Sequence, residues 1–419
     1  MIKRLIVFAA ALLALLPARG KAVCIVHAGQ RCVVTDADGG VLWSGGEAMA
    51  FDLGGGLFAA GVPGSYGLYG DDGARVTDAE YEMIAMIDGA LIFRQDGLYG
   101  AITPEGETLA KPTWSQLVPN GHGSFLALRH TSWDERADEL ILLTPGADPV
   151  RTGARTTGVL APFVEDRLRF RTPEGRYGWL DSEARVAIPA EWRGATDFAD
   201  GIALVYGNAG WGALDVRGRQ LLTPEYAWLA RGKGLLAALA EGGRLEVFAV
   251  TRDADGEPQC ALRYALEGVT QAGVAGSCVY VARGGSVQLY DVDGRCLLEV
   301  SDGARFSDGL DGQLVGDLGR WSEDGQWLVD PDGSPASQHF AQLLPLCAGR
   351  YAFRRAAPAA STGEADWGLL DSAGNELLPA EYDEILPAGD DRLALVDGPM
   401  VTLADADGRA IRTFMDDGE

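Results

Sequence analysis

The sequence predicts an all-β repeat protein: about eleven β-meander units of about 37 residues, arranged like propeller blades, with almost no helix after an N-terminal leader. Three observations carry this. One short pattern recurs down the chain. Asp-Gly and Pro/Gly-rich turns punctuate short apolar runs. No segment beyond the leader sustains a 3.6-residue apolar period flanked by helix caps.

The leader comes first. Lys3 and Arg4 precede an uncharged apolar run from Leu5 to Leu16, which Pro17 ends. The run is too short to span a bilayer, which takes about 20 apolar residues. Small residues follow at Ala18-Arg19-Gly20 and Gly20-Lys21-Ala22. This is the layout of a secretory signal peptide over residues 1–22, leaving 23–419 as one repeat array. A lipoprotein is disfavoured, because Val23 rather than a small residue precedes Cys24. The expected location is therefore the periplasm or the outside of a bacterial cell, with no membrane span after cleavage.

The array announces itself by internal comparison. Five segments superimpose, beginning at Tyr66-Gly67, Tyr99-Gly100, Tyr177-Gly178, Trp211-Gly212 and Trp367-Gly368. The runs WGALDVRGRQLLTPEY from Trp211 and WGLLDSAGNELLPAEY from Trp367 show the unit. An aromatic-Gly pair leads into an apolar strand, a polar turn, a second strand with Pro, and a closing aromatic. Six weaker copies keep only the turn: Asp36 to Gly39, Pro145-Gly146, Asp253 to Gly256, Asp291 to Gly294, Asp330 to Gly333 and Asp405 to Gly408. Aligned on the turn, the copies follow one another at steps of 33 to 41 residues. Within a unit, Ala90 to Leu117 reads strand, Asp96-Gly97 turn, strand, Pro104-Glu105-Gly106 turn, strand.

Both faces of these strands are apolar. In Trp367-Gly368-Leu369-Leu370, side chains alternate, so Trp367 and Leu369 share one face while Gly368 and Leu370 share the other. A sheet apolar on both sides is covered on both sides. Stacked blades meet that need, and the repeated Gly is expected to leave room for an aromatic of the neighbouring blade. Propellers commonly have about 4–8 blades, so eleven units predict one continuous array, open and curved, with two rings as the alternative. A Gly-, Pro- and Thr-rich stretch at 144–162 offers an internal break, and Arg355 to Asp366 reads as a surface insertion.

These residues resemble the WG repeat family of bacterial proteins. Trp211-Gly212 and Trp367-Gly368 match its Trp-Gly pair, and Tyr66, Tyr99 and Tyr177 stand in the Trp position of the other three. Asp215/Gly218 with Tyr226 and Asp371/Gly374 with Tyr382 match the turn and the aromatic that follow. The resemblance implies a propeller-like scaffold with a loosely defined role in protein interaction. It carries over no catalytic residue.

Composition narrows the partners. There are 35 Lys+Arg against 60 Asp+Glu, a net charge of −25, which disfavours nucleic acid and anionic lipid. Export makes disulfides plausible among Cys24, Cys32, Cys260, Cys278, Cys296 and Cys347, with Cys24 and Cys32 placed to pair across a hairpin. No cofactor or metal is expected. The D-x-D-G pattern at Asp36/Asp38, Asp253/Asp255, Asp291/Asp293, Asp330/Asp332 and Asp405/Asp407 reads as hairpin turns rather than calcium loops, since none has the remaining ligands of such a loop. No nucleophile elbow, H-E-x-x-H or P-loop occurs, and GGGLFAAG from Gly54 lacks the Lys of a phosphate loop. The segment around Trp133 is off register and is read as a loop. The expected function is a non-enzymatic, exported scaffold that binds a protein or an envelope component. The alternative is a carbohydrate-binding or carbohydrate-processing propeller.

Overall fold

A computed structural model describes residues 23–129, 138–301, 303–318, 325–355 and 366–415. Every regular element within them is a β-strand. The strands form eleven antiparallel sheets, each made of consecutive strands. Blade 1 spans 23–46, blade 2 49–70, blade 3 83–114, blade 4 116–156, blade 5 163–192, blade 6 194–226, blade 7 228–266, blade 8 271–301, blade 9 305–329, blade 10 342–382 and blade 11 384–415. Eight blades have four strands. In blades 2 and 9 the fourth strand is reduced to isolated bridges, Tyr66 with Tyr81 and Val329 with Pro335 among them. The repeat phase read from the sequence holds throughout. In each blade the polar turn aligned above follows the third strand, or the second strand of three-stranded blade 1.

Eleven apolar clusters occupy the eleven gaps between neighbouring blades. The alternation along a strand produces this. Leu369 packs into the cluster shared by blades 10 and 11, and Leu370 into the one shared by blades 9 and 10. The inner strands of a blade therefore spend both faces on burial, at about 1.5–3 kcal/mol per large apolar side chain.

The last cluster closes the array. Cys24, Val26 and Ala28 of blade 1 pack against Ala388, Ala394, Val401 and Leu403 of blade 11. Two hydrogen bonds cross the same seam. Arg392 Nε donates to the Ala37 carbonyl at 3.2 Å, and an Arg412 guanidinium nitrogen donates to the Gly39 carbonyl at 2.6 Å. The structure is one continuous array, as expected, but closed into a ring of eleven blades rather than open, which also removes the two-ring alternative. The ring also runs through 144–162. Val150–Thr156 is the outer strand of blade 4, and Leu126, Leu128 and Leu140 pack on Phe163, Leu168 and Phe170 of blade 5. The Gly and Pro there serve turns within the repeat, which is why composition alone suggested a break.

The first strand lies toward the centre of the ring. The first strands of blades 1, 2 and 3, of 7, 8 and 9, and of 11 and 1 approach one another within 8 Å at Cα. Sheets packed face to face sit about 10 Å apart, so such approach occurs where blades converge.

Candidate functional site

The ring has two rims. One carries the turns between first and second strands and between third and fourth strands. The other carries the turns between second and third strands and the links between blades. The five aromatic-Gly pairs sit at the second rim, where each third strand begins.

Each signature aromatic pairs across the sheet with another aromatic fifteen residues on. The pairs are Tyr99 with Trp114, Tyr177 with Trp192, Trp211 with Tyr226, Trp367 with Tyr382, and the bridge Tyr66 with Tyr81. On its other side the aromatic meets the residue opposite it on the second strand. That residue is Arg94 over Tyr99 (5.9 Å), Arg171 over Tyr177 (5.9 Å), Arg354 over Trp367 (4.5 Å), and Tyr206 beside Trp211 (5.3 Å). The cap is a cation on an aromatic face in three blades. Sequence reasoning missed it, although the Arg or Tyr is visible just before the intervening turn.

The Gly of each pair has a different steric partner from the one expected. A Cβ on Gly100 would lie 2.5 Å from Phe93 and 2.8 Å from the Ala110 carbonyl, both in the same blade. At Gly212 the obstruction is Leu222 O at 2.7 Å and Pro224 Cα at 2.8 Å. The fourth strand bulges between its paired positions, and Pro112, Pro189, Pro224 and Pro379 lie in those bulges. Proline has no N–H to lose there. The bulge folds the fourth strand against the third, so Gly admits its own blade's backbone rather than a neighbour's aromatic.

The neighbour is met at the turn. The Gly of the third-to-fourth turn lies on the preceding blade's outer segment: Gly218 on Ile188, Gly294 on Tyr264, Gly333 on Leu297, Gly408 on Leu378 and, across the seam, Gly39 on Arg412. These glycines have φ between 81° and 88°, the left-handed conformation such a turn requires.

The Asp that opens these turns is used by the backbone. Asp215 Oδ1 accepts the Arg217 and Arg219 amides at 3.0 and 2.8 Å. Asp36, Asp253, Asp291 and Asp405 do the same two and four residues on. The Glu257 amide bonded to Asp253 helps hold its carboxyl below the ordinary range. The second acid of the pattern stays outside. Asp38, Asp255 and Asp293 are exposed. Among the described residues, no three His, Cys, Asp or Glu converge as metal ligands.

The result is an acidic rim. In all eleven blades the turn into the outer strand holds at least one Asp or Glu. Asp88, Glu165, Asp166, Asp200, Asp308, Asp311, Asp390 and Asp391 add to it from the first-to-second turns. Several of the Arg residues on this rim are paired in place, as Arg219 is with Asp215 (2.9 Å) and Arg350 with Asp407 (2.7 Å).

All six cysteines are free. Cys24 stands opposite Thr35 and Cys32 opposite His27, so the two thiols are out of register. They also face opposite sides of blade 1, Cys24 toward blade 11 and Cys32 toward blade 2. The expected hairpin pairing is therefore not formed. Burial pushes both thiols up to about 11. Residues 1–22, Trp133 and most of the insertion at 355–366 lie outside the described residues.

Comparison with known proteins identifies the repeat. The family model of the WG-containing repeat matches residues 177–207 and 367–396. The chain carries WG-containing repeats. Each match starts on the third strand of one blade and ends on, or one residue past, the second strand of the next, so the WG repeat straddles two blades. No curated protein matches the sequence. Similar solved structures include BamB from Moraxella catarrhalis, at 14% identity and TM-score 0.32, covering 65% of this chain and 93% of that one. A eukaryotic initiation factor shows 13% identity and TM-score 0.38 over 86% of this chain and 84% of that one. PorZ of Porphyromonas gingivalis shows 10% identity and TM-score 0.25 over 92% of this chain and 64% of that one. No helix among the described residues is long and apolar enough to cross a membrane.

Proposed function

We propose that this WG-repeat ring is an exported, non-enzymatic scaffold that docks a basic protein partner on its acidic rim. The carrying observation is the exposed acid of the outer turns in most blades, Asp38, Asp255, Asp293 and Asp332 among them, against Arg side chains such as Arg219 and Arg350 that are held by acids of the same rim. Rigid turns make this a fixed array of charge. In blades 1, 7 and 8 the opening Asp spends its carboxylate on backbone amides, and the exposed second acid, Asp38, Asp255 or Asp293, is left to meet a partner. Repeat architectures offer extended binding surfaces of this kind, and complementary charge raises association rates and sets specificity. The leader at 1–22 supports export.

The test is crosslinking capture from envelope and culture fractions, run beside an Asp38→Asn, Asp255→Asn, Asp293→Asn variant. The expected result is a basic protein held by the parent chain, released by salt and captured weakly by the variant. Equal capture by both proteins, or capture of glycan alone, would overturn the reading.

A further inference from the structure

One place on the acidic rim has the opposite sign. Between blades 6 and 7 a cavity of about 240 Å³ is lined by Arg231, Lys233, Arg252, Thr251 and Asp200. Lys233 is one of only four lysines in the chain, and two of the others, Lys3 and Lys21, belong to the leader. Three cations thus line the cavity with one carboxylate, and Glu165 lies close enough to act on Arg231. We propose that this cavity is a binding site for a small oxyanion, a carboxylate or phosphate group.

The geometry supports this beyond sign. Arg231 is half-buried, and among the described residues its guanidinium donates one hydrogen bond, to the Ile202 carbonyl. A guanidinium carries five N–H donors, so most remain for a ligand. Arg252 donates to the Gly256 carbonyl at 2.8 Å. Among the described residues neither arginine nor Lys233 forms an ion pair within 4 Å. The nearby Glu165 accepts the Gly201 amide through both oxygens, at 2.9 and 3.1 Å, and forms no ion pair within 4 Å with these cations among the described residues. The site is fixed by backbone. The Lys233 amide donates to Gly276 of blade 8, and Val250 donates to Gly234. Its volume falls below the roughly 300–1,000 Å³ of drug-sized pockets, which limits the ligand to a small anion or one anionic group of a larger molecule.

The test titrates the purified protein with inorganic phosphate and, separately, with citrate at low ionic strength, read by calorimetry and by thermal melting. Lys233→Ala and Arg252→Ala are the variants, since both side chains are exposed and neither supports the core. The expected result is saturable binding of at least one probe, weakened about tenfold or more in each variant, as loss of a hydrogen bond to a charged group implies. Preference between the probes identifies phosphate or carboxylate chemistry. No heat and no melting shift with either probe would overturn the site. Parent-like binding by both variants would overturn it too, by placing the anion elsewhere. Neither result bears on the basic partner, whose test rests on Asp38, Asp255 and Asp293.

Discussion

Replacing Gly212 with Ala isolates the contact that shapes the blade. The new Cβ would sit 2.7 Å from Leu222 O and 2.8 Å from the Cα and N of Pro224. Those distances are about 0.6 Å inside ordinary contact, and every obstructing atom is backbone. No rotamer change relieves the clash, so the bulge has to open and carry Tyr226 away from Trp211. Overpacking of this kind costs about 1–3 kcal/mol. The matched control is Gly46→Ala, where a Cβ meets nothing within 4 Å. There the loss of unfolded-state freedom makes the change neutral or stabilising by up to about 1 kcal/mol. Urea unfolding followed by tryptophan fluorescence compares the two. A Gly212→Ala midpoint equal to that of Gly46→Ala would refute the close approach of third and fourth strands.

Three further outcomes follow from the same geometry. The double variant Arg392→Ala, Arg412→Ala removes both hydrogen bonds across the seam and should lower stability by about 1–3 kcal/mol per bond to a charged donor; an unchanged urea midpoint would mean that blades 11 and 1 do not meet. In native protein at pH 8 a thiol reagent should label exposed Cys296 first and leave buried Cys24 and Cys32 until unfolding; detection of a Cys24–Cys32 disulfide by mass spectrometry would contradict the register. Burial raises the Cys24, Cys32 and Cys260 thiols from 9.0 to about 11 in the folded chain. Their contribution is complete below pH 9 and is lost as pH rises from 9 to 11, so urea midpoints should fall across that window, and a flat profile through it would refute the burial.

The sequence made the repeat legible because each unit repeats a local necessity. Asp36, Asp215 and Asp405 open turns whose amides need an acceptor two and four residues on, and Gly39, Gly218 and Gly408 supply the left-handed residue that closes them. Those needs lie within five residues, so they survive in copies that have lost the aromatic-Gly pair. The Asp96-Gly97 hairpin was readable for the same reason, with φ of 50° and 77°. The acidic rim follows from these turns, because turn residues face solvent.

Other features are relations between distant residues. The Phe93 ring over Gly100 and the Arg171 guanidinium over Tyr177 depend on which residues a hairpin sets opposite each other. The Cys24 and Cys32 pairing failed for this reason. The sequence placed the two cysteines on adjacent strands, and the register put Cys24 opposite Thr35. The cation cavity is more remote still, since Asp200, Arg231 and Arg252 come from separate turns and strands of two blades.

By itself the sequence determined the all-β class, the eleven units, their phase and the two apolar faces of each strand, because periodicity and turn chemistry are local. Only the tertiary structure decided that the eleven units close into one ring. Closure depends on a small rotation between successive blades, summed around the circle, until Cys24 and Val26 meet Ala394 and Leu403. No residue encodes that rotation alone. It emerges from how Gly218, Gly294 and Gly408 seat each turn on the blade before it.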